Sequence, residues 1–147
     1  MTEYIFWDIL SKLNWRKEGN DNKVLAPAVK YLSKLSDEDI FEFENIMSKL
    51  LYDIDCKDLA IELYRSADQF SYDLFLYQRC TAIINGRKYY YEILNRNNKL
   101  NPDLEFESIL YLPMKAWAKK HHKKTNEYPH IAEPSYESCS NIESWGE

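Results

Sequence analysis

The scarcity of glycine is the feature that most limits what this chain can fold into. Three glycines occur in 147 residues, and tight β-turns depend on glycine for backbone conformations with positive φ. A sheet of many short strands would need far more such turns. The apolar residues also recur with the period of a helix along most of the chain. Ile5, Phe6, Ile9, Leu10 and Leu13 follow a candidate N-cap, Thr2, with Glu3 in the first turn. The polar stretch "EGNDN" (18–22) breaks that pattern. Val24, Ala28, Val29, Leu32 and Leu35 then mark a second helix, in which Pro27 is tolerable only in the first turn.

"LSDEDIFEF" is the clearest helix start. Ser36 caps it, and Asp37, Glu38 and Asp39 sit where the positive end of the helix dipole favours acids. Asp39 is placed to reach back as a shorter version of the capping-box glutamate. Ile40, Phe43, Ile46, Met47, Leu50, Leu51 and Ile54 make the apolar stripe. A fourth helix begins at Asp55 or Cys56 and carries Leu59, Ile61, Leu63 and Tyr64. "SADQFS" ends it, and Ser71 caps a fifth helix running through Asn85. Its core face is Tyr72, Phe75, Leu76, Cys80, Ile83 and Ile84. Gly86 stands where a left-handed residue is needed after the helix end, and Arg87–Asn95 reads as a sixth helix. After the loop "NRNNKLNPDL", Asn101 caps a last helix from about Asp103 to His122, kinked or split by Pro113. The expected fold is all-α: a compact single-domain bundle of six or seven helices over residues 1–124. An irregular acidic tail follows at 125–147, disordered or wrapping back over the body.

Charge is unevenly placed. Residues 125–147 hold five acids and no Lys or Arg, residues 36–62 nine acids and two lysines, and residues 63–124 eleven basic and six acidic residues. An acidic centre followed by a basic second half suits helices that attract each other or a charged partner. The formal net charge of −5 disfavours a broad nucleic-acid surface. No run approaches the roughly 20 apolar residues of a membrane helix. The start "MTEYIFWDIL" lacks the pattern of a signal peptide, so a cytoplasmic protein is expected.

Few features point to chemistry. No phosphate-cradling glycine loop, nucleophile elbow or metalloprotease helix motif is found. Cys56, Cys80 and Cys139 lack paired spacing. His121 and His122 point about 100° apart on a helix, which is poor geometry for one metal ion. No cofactor, metal or catalytic residue is therefore expected. Glu42, Glu44, Asp53 and Asp58 read as a solvated face rather than an acid-base pair. Tyr89, Tyr90 and Tyr91 lie on successive faces of one helix, so at least one should be exposed and available to a partner.

Arg79 is the unusual residue, a cation at the edge of an apolar face. A buried arginine needs a carboxylate or several acceptors. Glu44 and Asp73 are the carboxylate candidates. The alternative is a pocket near Arg79, Asp73 and Asp68 that holds an anion.

The segments "EYIFWDIL", "LSDEDIFEFENIMSKLL", "SYDLFLYQRCTAIINGRKYYYEIL" and "ESILYLPMKAW" resemble, in that order, a bacterial domain family of unknown function, numbered 4240. The likeness covers roughly residues 3–122. Its most specific part is Phe75, Tyr77, Arg79, Ile83, Ile84, Gly86 and Arg87, supported by Phe6-Trp7 and by Leu35-Ser36 with Phe43-Glu44. Two departures stand out. This chain reads "SADQFSYD" where members often have a glycine-containing turn, and Thr81 where they often have tryptophan. The resemblance implies that Arg79 and Gly86 belong to a shared helical framework, and it brings no activity. The expected function is a non-catalytic protein-binding module, in its most concrete form an immunity-type protein that covers the active surface of a basic toxin. Glu42, Asp53 and the three tyrosines are its candidate contacts. An enzyme or small-ligand regulator with a pocket near Arg79 is the alternative.

Overall fold

The computed structural model describes residues 1–65 and 67–146. Ser66, within the expected "SADQFS" break, and Glu147, at the end of the expected tail, lie outside the described residues. Eight α-helices and no strand are found among the described residues, seven of the helices having seven residues or more. They are α1 (Glu3–Leu10), α2 (Asp21–Leu32), α3 (Asp37–Asp53), α4 (Lys57–Leu63), α5 (Tyr72–Ile84), α6 (Arg87–Leu94), α7 (Leu112–His121) and α8 (Ile142–Trp145). None is long and apolar enough to cross a membrane. The chain divides into two compact units: Met1–Ile46 with Ser108–Ala132, and Met47–Glu107 with Glu133–Glu147.

In the first unit, α2 packs against α7 and α1. Its core holds Phe6, Ile9, Val24, Leu25, Leu32, Ile40, Phe43, Leu112 and Ala116, all fully buried. Phe6 lies 4.7 Å from Phe43 and edge-on to Trp7 at 5.1 Å. The expected caps form: Thr2 accepts from the Ile5 N–H at 3.2 Å and Ser36 from the Asp39 N–H at 3.1 Å. Asp37 does more than start its helix. It pairs with Lys120 at 2.8 Å and His121 at 2.9 Å, and these bonds hold its carboxyl below the ordinary range.

In the second unit, α5 is buried on nearly every side, with Phe75, Leu76, Gln78, Arg79, Cys80, Thr81, Ala82 and Ile83 all inside. α6 packs on α5, and α4 packs on α8. Ser71 caps α5 through the Leu74 N–H at 3.2 Å. Gly86, at φ +96°, joins α5 to α6 in a conformation that other residues adopt only with strain.

Four sequence expectations change. Helix α2 begins at Asp21, capped by Asn20, so Pro27 sits in its interior rather than its first turn. Asn20 supplies a side-chain oxygen for the Lys23 N–H at 3.2 Å, and that cap fixes the start early. The last helix begins at Leu112 instead of near Asp103, with Pro113 in its first turn, where the missing N–H costs nothing. Asn101 closes a turn through the Asp103 N–H at 2.9 Å, and Glu107–Tyr111 is a 3₁₀ turn. Tyr72 is 62% exposed, outside the core face expected of α5. No member of Tyr89–Tyr91 is fully exposed: Tyr90 is completely buried and the other two are half-buried.

Candidate functional site

The polar centre of the second unit forms around the C-terminal end of α3. The last carbonyls of a helix have no partner within it, and here three successive ones are met by side chains. Tyr90 donates its hydroxyl to the Leu50 carbonyl, Arg79 Nη1 donates to the Leu51 carbonyl at 2.8 Å, and Asn141 Nδ2 donates to the Tyr52 carbonyl at 2.9 Å. The Arg79 charge thus sits at the negative pole of the α3 dipole, where a cation is favoured.

Arg79 Nη2 donates to the Tyr136 carbonyl at 2.9 Å and to Ser138 Oγ at 3.0 Å, and the Ser138 hydroxyl donates onward to the Tyr72 carbonyl at 2.7 Å. The guanidinium also lies 4.8 Å over the Phe75 ring. Its Nε has no partner among the described residues. Burial pushes the Arg79 pKa down, and the nearby negative charge of Asp55 opposes that shift.

Asp55 is fully buried and anchors the same segment. Its Oδ1 accepts from the Cys139 N–H at 3.0 Å and from Trp145 Nε1 at 2.8 Å, and its Oδ2 accepts from the Asn141 N–H at 3.0 Å. Arg79 and Asp55 therefore hold residues 136–145 through five hydrogen bonds, and Asn141 adds a sixth to the end of α3.

Of the expectations for Arg79, the one found is a buried arginine met by several acceptors. Its partners are carbonyls and a serine hydroxyl instead of Glu44 or Asp73. It is also completely buried, and it lines none of the three cavities described below. Glu44 accepts the Tyr128 hydroxyl at 2.9 Å within the first unit, and burial raises its pKa. Asp68 and Asp73 are exposed. Tyr77 is half-buried, and its carbonyl accepts the Phe106 N–H at 3.0 Å. Phe6 and Trp7 belong to the core of the first unit, with Trp7 Nε1 donating to Glu3 at 3.0 Å.

The proposed partner contacts are scattered in kind. Glu42 is exposed and accepts from Asn45 at 3.1 Å. Asp53 is half-buried and pairs with Lys49 at 2.5 Å. Tyr89 donates to the Lys99 carbonyl at 3.0 Å, and the Arg87 guanidinium lies 4.8 Å over Tyr91.

The surface hollows formed by the described residues include three of note. In the first unit, a hollow of about 370 Å³ is lined by Met1, Glu38, Asp39, Phe41, Glu42 and Asn45. In the second unit, an aromatic groove of about 450 Å³ lies beside α4, lined by Tyr64, Phe70, Tyr72 and Trp145 together with Lys57 and Arg65. Its neighbour, of about 430 Å³, is lined by Cys56, Asp58, Arg96 and the α8 residues Glu143–Trp145. There Arg96 grips Asp58 in a two-pronged pair at 2.8 and 3.0 Å, which draws the Asp58 carboxyl down to about 2. The same guanidinium reaches Cys56 Sγ at 3.0 Å, yet burial pushes that thiol up to about 11. The Cys80 thiol, also buried, is pushed up to about 12. Neither thiol is poised as a nucleophile.

The model of a family described as protein of unknown function (DUF4240) matches residues 1–119. The chain belongs to this family. The DUF4240 match ends before residues 136–145, the segment that Arg79 and Asp55 hold. One curated relative, an oligoribonuclease, NrnB, of Bacillus subtilis (strain 168), is 33% identical over 87 residues. That stretch is 58% of this chain and 21% of the relative, so the chain spans about a fifth of that protein's length. No solved structure matches.

Nothing in the spacing of the sequence marks Asp55, Ser138, Asn141 and Trp145 as a constellation. The one local signal was the apolar content of the tail, since Trp145 is out of place in a purely solvated segment.

Proposed function

We propose that this DUF4240 protein is a non-catalytic protein-binding module of the bacterial cytoplasm. In its most concrete form it is an immunity-type protein that covers the active surface of a basic toxin domain. The observation that carries this reading is the pair Glu38 and Glu42 in the first unit. Both are exposed, they stand one helical turn apart on α3, and neither has a cation within ion-pair distance among the described residues. Like charges at that spacing cost a helix roughly 0.2–0.5 kcal/mol. A basic partner relieves that repulsion, and its approach is accelerated by the attraction. Asp53 contributes less, because Lys49 already neutralises it. Tyr90 drops out as a contact because it is buried.

The test is a tagged pull-down from the native host at low salt, comparing wild type with a combined Glu38→Lys, Glu42→Lys variant. A single stoichiometric basic protein, lost in the variant, supports the reading. No partner in either sample counts against it.

A second reading, a small-ligand regulator, draws on the curated relative. Its name, oligoribonuclease, suggests a short oligoribonucleotide as the ligand class. The burial of Arg79 argues against the anion pocket expected there, and the open aromatic groove beside α4 is the better receptacle.

A further inference from the structure

We propose that the aromatic groove of the second unit binds a short single-stranded oligonucleotide of one or two nucleotides. A base stacks on Tyr72, and a phosphate is held by Lys57 and Arg65. This rests on the ligand-binding reading above and gives it a site.

The groove is built from two directions. Lys57, Ala60, Ile61 and Tyr64 recur at helical spacing, so they present one face of α4 and of the residue that ends it. Phe70, Tyr72 and Trp145 form the facing wall. Ile61 and Tyr72 are 61% and 62% exposed, an unusual amount of uncovered apolar surface at one cavity.

The rings are held before any ligand arrives. Phe70 meets Tyr64, Tyr72 and Trp145 edge-to-face at 5.2, 5.1 and 5.6 Å. The Tyr64 hydroxyl donates to Gln78 at 2.8 Å and the Trp145 indole N–H donates to Asp55 at 2.8 Å, so the polar ends of both rings are fixed inward. Fixed rings lose little freedom on binding. A volume of about 450 Å³ lies within the usual range of small-ligand sites.

The charges select among planar ligands. Lys57 and Arg65 are exposed and have no ion pair among the described residues. Aromatic faces that stack a base beside cations that meet its phosphate are the means by which proteins hold single-stranded nucleic acid. Glu62, Asp68 and Glu143, all exposed acids of the same unit, disfavour a long polyanion. Two cations match one or two phosphates, which sets the ligand length.

The experiment titrates the intact chain with 5′-phosphorylated diadenylate by calorimetry. Inorganic phosphate and an acidic tripeptide, Glu-Tyr-Glu, are titrated in parallel. Tyr72→Ala and a combined Lys57→Gln, Arg65→Gln variant are compared with Lys88→Gln, an exposed cation that does not line the groove. All the substituted side chains are exposed, and urea midpoints verify folding. Saturable binding of the dinucleotide is expected, weakened about tenfold in Tyr72→Ala, the loss of one stacked base. The double variant should also bind more weakly and with a flatter salt dependence, while Lys88→Gln binds as wild type. Binding left unchanged by the groove variants overturns the site and leaves the ligand reading standing. No saturable binding at millimolar dinucleotide overturns both. Equal binding of phosphate or of the tripeptide also overturns the proposal, because neither carries both base and phosphate.

Discussion

Replacing Asp55 by asparagine isolates the group on which the C-terminal segment depends. The carboxylate is fully buried and accepts three hydrogen bonds, two at Oδ1 and one at Oδ2. An asparagine has one acceptor oxygen. Its best orientation puts that oxygen in the Oδ1 position and keeps the bonds from Cys139 and Trp145. The amide NH₂ then faces the Asn141 N–H, a donor against a donor, and a buried N–H loses its partner. The substitution also removes the negative charge that offsets the burial of Arg79. An unsatisfied buried donor costs about 1–3 kcal/mol, and breaking a buried charge arrangement about 3–5 kcal/mol, so we expect a loss of about 3–5 kcal/mol. Domains are stable by only about 5–15 kcal/mol, so the change is large. Urea denaturation measures it, and amide hydrogen exchange at Cys139 and Asn141 locates it. A loss under about 1 kcal/mol with unchanged exchange at both amides refutes the reasoning, since it means the three bonds are not what holds the segment.

Two further substitutions test the first unit. Burial raises the folded pKa of Glu44 above its ordinary value of 4.5, so the folded state holds that proton more tightly than the unfolded chain. Its contribution to stability is present at acid pH and declines as pH rises from about 4.5 through the raised value. Gln at this position can still accept from Tyr128 without ionising; urea midpoints should show Glu44→Gln gaining on wild type between pH 4 and pH 7, and a constant difference counts against the argument. His122 ends α7 in the left-handed conformation at φ 54°, exposed to solvent. His122→Gly should raise stability by about 0.5–1 kcal/mol, read as a higher melting temperature, because glycine removes the steric cost of that conformation; a lower melting temperature contradicts it.

What the sequence revealed was local. Thr2, Ser36 and Ser71 each cap a helix through an N–H three residues on, and Gly86 takes the positive φ its position requires. These interactions close within one turn, so residue type and spacing suffice to find them. The errors lay where a neighbour competed. Asn20 started α2 early enough to put Pro27 inside it, and Pro113 delayed α7 until the proline could stand in its first turn. Tyr90 was misplaced for another reason: its hydroxyl partner, Leu50, is 40 residues away, and no periodicity in α6 announces it. The aromatic groove is half legible. The α4 face is periodic in the sequence, but Phe70, Tyr72 and Trp145 are brought to it by tertiary folding.

Arg79 shows why the rest was not legible. A buried arginine needs a carboxylate or several acceptors, and only carboxylates such as Glu44 and Asp73 can be named from the sequence. A helix end satisfies the same need by other means. The unpaired carbonyls of α3 carry partial negative charge and accept hydrogen bonds, and Arg79 reaches the Leu51 carbonyl 28 residues before it. Its Nη2 donates to residues 57 and 59 positions later in the chain. Asp55 supplies a compensating charge while its own oxygens accept from residues 84, 86 and 90 positions downstream. Each partner lies well beyond one turn, and most of them are backbone groups, which every residue type has. Composition cannot single out a carbonyl or an amide as a partner. That same burial defines what the arginine does here: a side chain with no exposed surface, its charge directed at a helix end, holds the C-terminal segment of the second unit.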